Sequence, residues 1–87
     1  MPWRVASVEV LPGFRLRIRF VDGTEGMTDF AALIQSSGAG VFAALADPSI
    51  FAQACVEHGA VTWPGEIDLA PDAMYAEIKK AGTWVLQ

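Results

Sequence analysis

Between Phe14 and Phe20 apolar and charged residues alternate without exception, with Phe14, Leu16, Ile18 and Phe20 on one side and Arg15, Arg17 and Arg19 on the other. A period of two over this length predicts a strand that buries one face. Residues 5–10 read as its partner. With Leu11-Pro12-Gly13 as a three-residue loop and Gly13 left-handed, Val10 falls opposite Phe14, Val8 opposite Leu16 and Ala6 opposite Ile18, while Glu9 meets Arg15 on the wet face. A two-residue loop of Pro12-Gly13 would set valines against arginines, so parity favours the longer one. Asp22-Gly23 predicts a second tight turn and a third strand over 24–29 that brings Met27 beside Ile18. Glu25 then falls opposite Phe20, at the rim of the sheet.

Asp29 is placed to cap a short helical turn through Phe30, Leu33 and Ile34, and the run from Ser36 to Gly40 breaks it. Residues 41–46 predict a short alanine-rich helix, which Asp47-Pro48 ends while offering a cap for one further turn. Residues 52–57 read as extended, with helix as the alternative because of Ala52 and Ala54. The chain reverses at His58-Gly59 and continues over 60–63 as a second hairpin. The stretch 61–75 organises the rest: Trp63 ends a β-branched run, Pro64-Gly65 stops it, and Pro71 opens a helix over 71–81 with Met74 and Ile78 on one face. Asp72 suits the positive start of that helix, and Lys79, Lys80 and Gly82 suit its end. The pattern predicts a single α+β domain over 1–87. Two antiparallel β-hairpins share one curved sheet, with the C-terminal helix and short helical turns packed on it.

Composition narrows the function classes. Apolar residues make up 53% of the 87 residues and charged ones 18%, more hydrophobic surface than so small a core usually hides, so self-association is expected. A net charge of −4 argues against gripping a nucleic-acid backbone alone. No apolar run reaches the roughly 20 residues of a membrane helix, and Met-Pro-Trp-Arg does not begin as a signal peptide does. The expected location is the cytoplasm, which the single Cys55 suits.

Cys55 and His58 are the only thiol and base pair, but three apart on a strand they point to opposite faces. Structural roles are expected for both, Cys55 as a small buried residue and His58 in a turn, so no catalytic residue is assigned. Glu66, Asp68 and Asp72 suit a helix start as well as a hard cation, and no metal or cofactor is expected. Gly38 and Gly40 lack the spacing of a phosphate loop. Arg15, Arg17 and Arg19 are the candidate interaction face, ready for an acidic partner or a carboxylate. Trp84, Val85 and Leu86 form an apolar tail beyond the helix. They are the candidate contact of a homo-oligomer, a dimer above all, with folding back onto the chain's own sheet as the competing possibility.

Asp47-Pro48 with Phe51, then Thr62-Trp63-Pro64, Asp68-Leu69, Pro71 and Tyr75, resemble the bacterial family called domain of unknown function 2442. Leu11-Pro12, Arg15-Leu16, Phe20 and Asp22-Gly23 fit the same pattern. The resemblance runs from about residue 4 to 75, leaving the helix end and tail, 76–87, outside it. It implies a small mixed α and β domain in which Asp47, Pro48, Trp63, Pro64, Asp68, Pro71 and Tyr75 are structural. Stand-alone members are often encoded beside a second small protein in what look like toxin–antitoxin pairs, and others carry a helix-turn-helix extension for which this chain has no room. The family usually has Asn-Gly after Trp-Pro, where this chain has Gly65-Glu66, and a capping Asp or Ser where it has Ala70. The missing cap costs roughly 1 kcal/mol, which Asp68 is expected to offset in part. The expected function is a non-enzymatic protein-interaction module, antitoxin-like or regulatory. The competing class is a small-ligand binder with an aromatic and arginine-lined pocket.

Overall fold

The computed structural model describes residues 2–36 and 40–86. In chain order these form β1 (Val5–Leu11), β2 (Arg15–Phe20), β3 (Glu25–Asp29), α1 (Ala31–Gln35), a 3-10 helix (Gly40–Ala46) and α2 (Pro48–Phe51). There follow β4 (Cys55–Glu57), β5 (Ala60–Trp63), β6 (Ile67–Leu69), α3 (Pro71–Ala81) and β7 (Thr83–Val85). The fold is α+β, but the strands make two sheets rather than one curved sheet, in the orders β1-β2-β3-β7 and β4-β5-β6. Trp63 therefore does not end the last strand. Two three-residue strands follow it, too short to leave a periodic signal. β7 lies parallel to β3, a pairing that needs a long connection and has one here, through α1, α2, the three-stranded sheet and α3.

The first hairpin keeps the expected faces but not the expected partners. Val10 pairs with Leu16, Glu9 with Arg17 and Val8 with Ile18, two residues away from the predicted register. A shift of two leaves every side chain on its own face. The loop is Pro12-Gly13-Phe14, in which both Gly13 (φ 80°) and Phe14 (φ 59°) are left-handed. Ala6 does not face Ile18: the register slips between Val5 and Ser7, leaving Ala6 exposed in a bulge while Val5 is buried.

The second hairpin is displaced by one residue, which exchanges the faces. Phe20 N–H donates to the Thr24 carbonyl at 2.8 Å, so the loop holds Val21 as well as Asp22-Gly23. Gly26 then stands opposite Ile18 on the core face, Met27 opposite Arg17 on the outer face, and Glu25 opposite Arg19 rather than Phe20. Gly26 is required there because α3 crosses it. A Cβ would lie 2.7 Å from the Gly82 carbonyl oxygen and closer still to Ile78 Cγ2. Thr28, opposite Leu16, is fully buried, and its hydroxyl has no hydrogen-bond partner among the described residues.

The β5–β6 loop repeats the chemistry of the first. Pro64-Gly65-Glu66 joins Trp63 to its partner Ile67, with Gly65 at φ 90° and Glu66 at φ 63°. Proline fixes the first turn residue, glycine supplies the second, and the third enters left-handed backbone that disfavours a side chain. β4 and β5 turn more tightly, through left-handed His58 and Gly59 with Glu57 paired to Ala60.

Both sheets and α3 contribute to one core. Leu16, Ile18 and Phe20 from β2, Val61 and Trp63 from β5, Ile67 and Leu69 from β6, and Met74 and Ile78 from α3 are all buried in it. Phe30, Phe51 and Trp63 meet at its centre, with ring centroids 5.6–6.0 Å apart. The Trp63 indole N–H donates to the Phe51 carbonyl oxygen at 3.1 Å. Asp47 caps α2 by accepting from the Ser49 N–H at 2.9 Å, and Asp29 accepts from the Ala31 N–H at the start of α1. α3 starts from Ala70 without a side-chain cap, and Asp68 does not supply one: it is exposed on β6, opposite Thr62. Gly82, at φ 79°, closes α3 in left-handed backbone.

Gly26→Ala is expected to lower stability by about 1–3 kcal/mol, as overpacking against backbone does, measured by urea unfolding. Glu66→Asn places a residue that tolerates left-handed backbone where this chain has glutamate, and is expected to raise stability by roughly 0.5 kcal/mol in the same measurement.

Candidate functional site

Strict alternation drives Leu16, Ile18 and Phe20 into the core and turns Arg15, Arg17 and Arg19 to solvent. β2 is an inner strand of its sheet, so the arginine row is flanked on both sides. On the β1 side stand Leu11, Glu9 and Ser7, opposite Arg15, Arg17 and Arg19 in turn. On the β3 side stand Asp29, Met27 and Glu25, in the same order. Glu9 thus faces Arg17 rather than Arg15. The side chains of Asp29, Glu25 and Met27 were not assigned to this surface by the alternation, because a one-residue slip decides their face. Gly26 inside a strand was the available signal, since a glycine there often marks close approach of another element.

The row is weakly tied. Arg17 Nε lies 3.8 Å from Glu25 Oε1, with both side chains more than half exposed, so the pair contributes little to stability. Arg15 Nε donates to the Pro12 carbonyl oxygen at 2.9 Å, which orients it over its own loop. Among the described residues Arg19 has no ion-pair partner. A shallow hollow of about 340 Å³ lies over the row, lined by Ser7, Val8, Glu9, Arg17, Arg19 and Glu25. An apolar hollow of about 410 Å³, lined by Val10, Leu11, Pro12, Gly13, Phe14, Pro48 and Phe51, lies beside the first hairpin loop.

The other sequence candidates are placed as follows. Cys55 is exposed rather than buried, because β4 is an edge strand and its Sγ contacts Thr62 Oγ1 at 3.4 Å on the outer face. Thr62 in turn donates to Glu57 at 3.1 Å, and His58 is exposed in the turn. Glu66 and Asp68 line an open hollow of about 450 Å³ with Glu57 and Thr62, while Asp72 lies apart in the first turn of α3. Among the described residues no three His, Cys, Asp or Glu side chains are arranged to hold a metal ion. Gly40 opens the 3-10 helix, whereas Gly38 lies outside the described residues. Leu86 is buried in the chain's own core, Trp84 packs half-buried against that core, and Val85 is 48% exposed. No helix among the described residues is long and apolar enough to cross a membrane.

One polar contact ties the arginine-bearing sheet to α3. The Tyr75 hydroxyl donates to Asp22 Oδ2 at 2.6 Å, and the ring stands edge-on to Phe20 with centroids 4.9 Å apart. This hydrogen bond, helped by the Thr24 N–H on Oδ1, lowers the Asp22 pKa from 3.8 to about 2 and raises that of the Tyr75 phenol.

The sequence model of a family described as "Protein of unknown function (DUF2442)" matches residues 5–80. No curated protein and no solved structure matches the chain.

Because the folded-state pKa of Asp22 is depressed, its contribution to stability is present above about pH 4 and is lost as pH falls toward 2. Tyr75→Phe is expected to bring the Asp22 pKa back up toward its ordinary value. It also shrinks the loss of melting temperature across that window, with NMR titration and thermal melts as the checks.

Proposed function

The chain belongs to the DUF2442 family of proteins of unknown function, and from that premise we propose that it is a non-enzymatic protein-interaction module. It recognises an acidic protein surface through the outer face of its four-stranded sheet. The observation that carries this reading is the row of three exposed guanidinium groups on an inner strand, one weakly paired and two without an ion-pair partner among the described residues. Guanidinium groups bind carboxylates bidentately, and three at a two-residue spacing fix a line along which a partner's acidic residues can register. In its specific form the reading makes this chain the antitoxin-like or regulatory half of a two-protein system, a role that rests on the family resemblance.

The small-ligand alternative asks for aromatic rings and arginines around one pocket. On β2 they leave the strand on opposite faces, and the hollow over the arginine row has no aromatic wall. That separation favours a flat protein contact over a pocket.

The test replaces Arg15, Arg17 and Arg19 together with Gln and uses the intact chain as bait in extracts of its host, beside a Lys79→Gln, Lys80→Gln control. The triple variant is expected to lose the partner that the parent and the control retain. Its melting temperature is expected to change little, since the exposed pairs hold little stability, and the parent's binding should weaken steeply with salt. Equal retention by the triple variant, or binding indifferent to salt, would count against the reading.

A further inference from the structure

β7 ends the four-stranded sheet, and among the described residues its only strand neighbour is β3. The bonds that flank it fix which of its backbone groups are used: the Met27 N–H donates to the Gly82 carbonyl and the Leu86 N–H to the Asp29 carbonyl. Residues 82, 84 and 86 therefore turn their backbone groups inward to β3, and by the alternation of a strand Thr83 and Val85 turn theirs outward. An outward row of free N–H and C=O groups is a template for another strand unless charge, proline, a bulge or a cover blocks it. Thr83-Trp84-Val85 has no charge and no proline, and Val85 is one of only two large apolar residues exposed among the described ones.

We propose that β7 pairs with the β7 of a second copy of this chain, antiparallel about a twofold axis at Trp84, to make one continuous eight-stranded sheet. Self-pairing is favoured by what the edge carries. With Thr83 and Val85 facing outward, the hydrogen-bonded partners are Thr83 with Val85 of the copy and Val85 with its Thr83, so symmetry gives the outward N–H and C=O of both residues a partner in each copy. Trp84 then faces Trp84 of the copy in the closer, non-hydrogen-bonded position, where cross-strand aromatic pairs contribute most. Trp84 lies across from Thr28, on the core side of the sheet, and is only half-buried in the single chain, so the pairing covers the remainder. Each copy carries net charge −4, yet the edge itself is neutral, so no like charges are brought together along it. α3 does not obstruct the approach. It crosses the sheet over Gly26 of β3 and reaches Phe20 of β2 through Tyr75, inward from the edge. The twofold stands perpendicular to the sheet, which leaves both arginine rows on one common face.

The test measures the mass of the intact chain in solution by sedimentation, from low to tens of micromolar concentration, beside Val85→Pro. Proline at 85 removes an outward N–H and none of the bonds to β3. The parent is expected to reach the mass of two chains, and Val85→Pro to remain at one with its melting temperature nearly unchanged. Val21→Ser, at the other exposed apolar residue, should dimerise like the parent. Amide hydrogen exchange on the parent makes the result independent of how the variant folds. Protection at Thr83 and Val85 should be slight in the single chain and rise with protein concentration, while Trp84, bonded to β3, should be protected already at the lowest concentration. A parent that stays monomeric, a Val85→Pro chain that keeps the dimer mass while folded, or exchange at Thr83 and Val85 indifferent to concentration would overturn the proposal. Pairing of β7 with a different protein's strand would appear as a monomeric parent.

Discussion

Trp63 reaches across the core from β5 to hydrogen-bond the Phe51 carbonyl, while its ring packs edge-on to Phe30 at the end of β3. Phe30 follows directly on β3 of the four-stranded sheet, Trp63 lies in the three-stranded one, and Phe51 ends α2, so this contact joins all three parts. Neither sheet could stand alone. A sheet of strands three and four residues long buries too little surface by itself, and the larger sheet needs a cover for Leu16, Ile18 and Phe20. Buried aromatic rings bring large apolar area to a small core, and the indole N–H, which would be costly to bury unpaired, is satisfied in the same place.

The residues by which the chain resembles its family are mostly employed in holding this arrangement. Asp47 and Pro48 start α2, Pro71 starts α3, Trp63 ties the sheets, and Tyr75 fastens α3 to the β2–β3 turn through Asp22. Pro64 opens a left-handed loop. Asp68 stands apart, exposed on the outer face of β6 and without a part in capping α3. A fold maintained this way leaves its function to surfaces that the scaffold presents, and the arginine face and the uncharged edge beside it are the two proposed for it.

The two surfaces have a common origin in β3. Because Gly26 lets α3 lie close against the core side, Met27, Glu25 and Asp29 are turned outward beside the arginines, and the last strand docks parallel along the same backbone. The covered side of the sheet and the open side are thereby decided by one residue without a side chain. Displacing α3 would disturb the tail, the Asp22–Tyr75 contact and the outer face together.

The alternation in β2, the cap at Asp47, the proline start of α3 at Pro71, the bounds of α3 and the turn at His58-Gly59 were all legible in the chain, because each depends on residues within a few positions of one another. The arginine face was legible for the same reason. What lay beyond local reasoning was register, partition and the fate of the tail. One residue's displacement of β3 depends on a helix more than fifty positions away, and division into two sheets depends on aromatic contacts between segments that are not neighbours in sequence. β6 and β7 are three residues long, and nothing local distinguishes such strands from loop. The apolar tail was open between a partner and the chain's own sheet. Tertiary packing placed Leu86 in the core and Trp84 half in it, because only the folded molecule offers β3 as an edge along which to lay them.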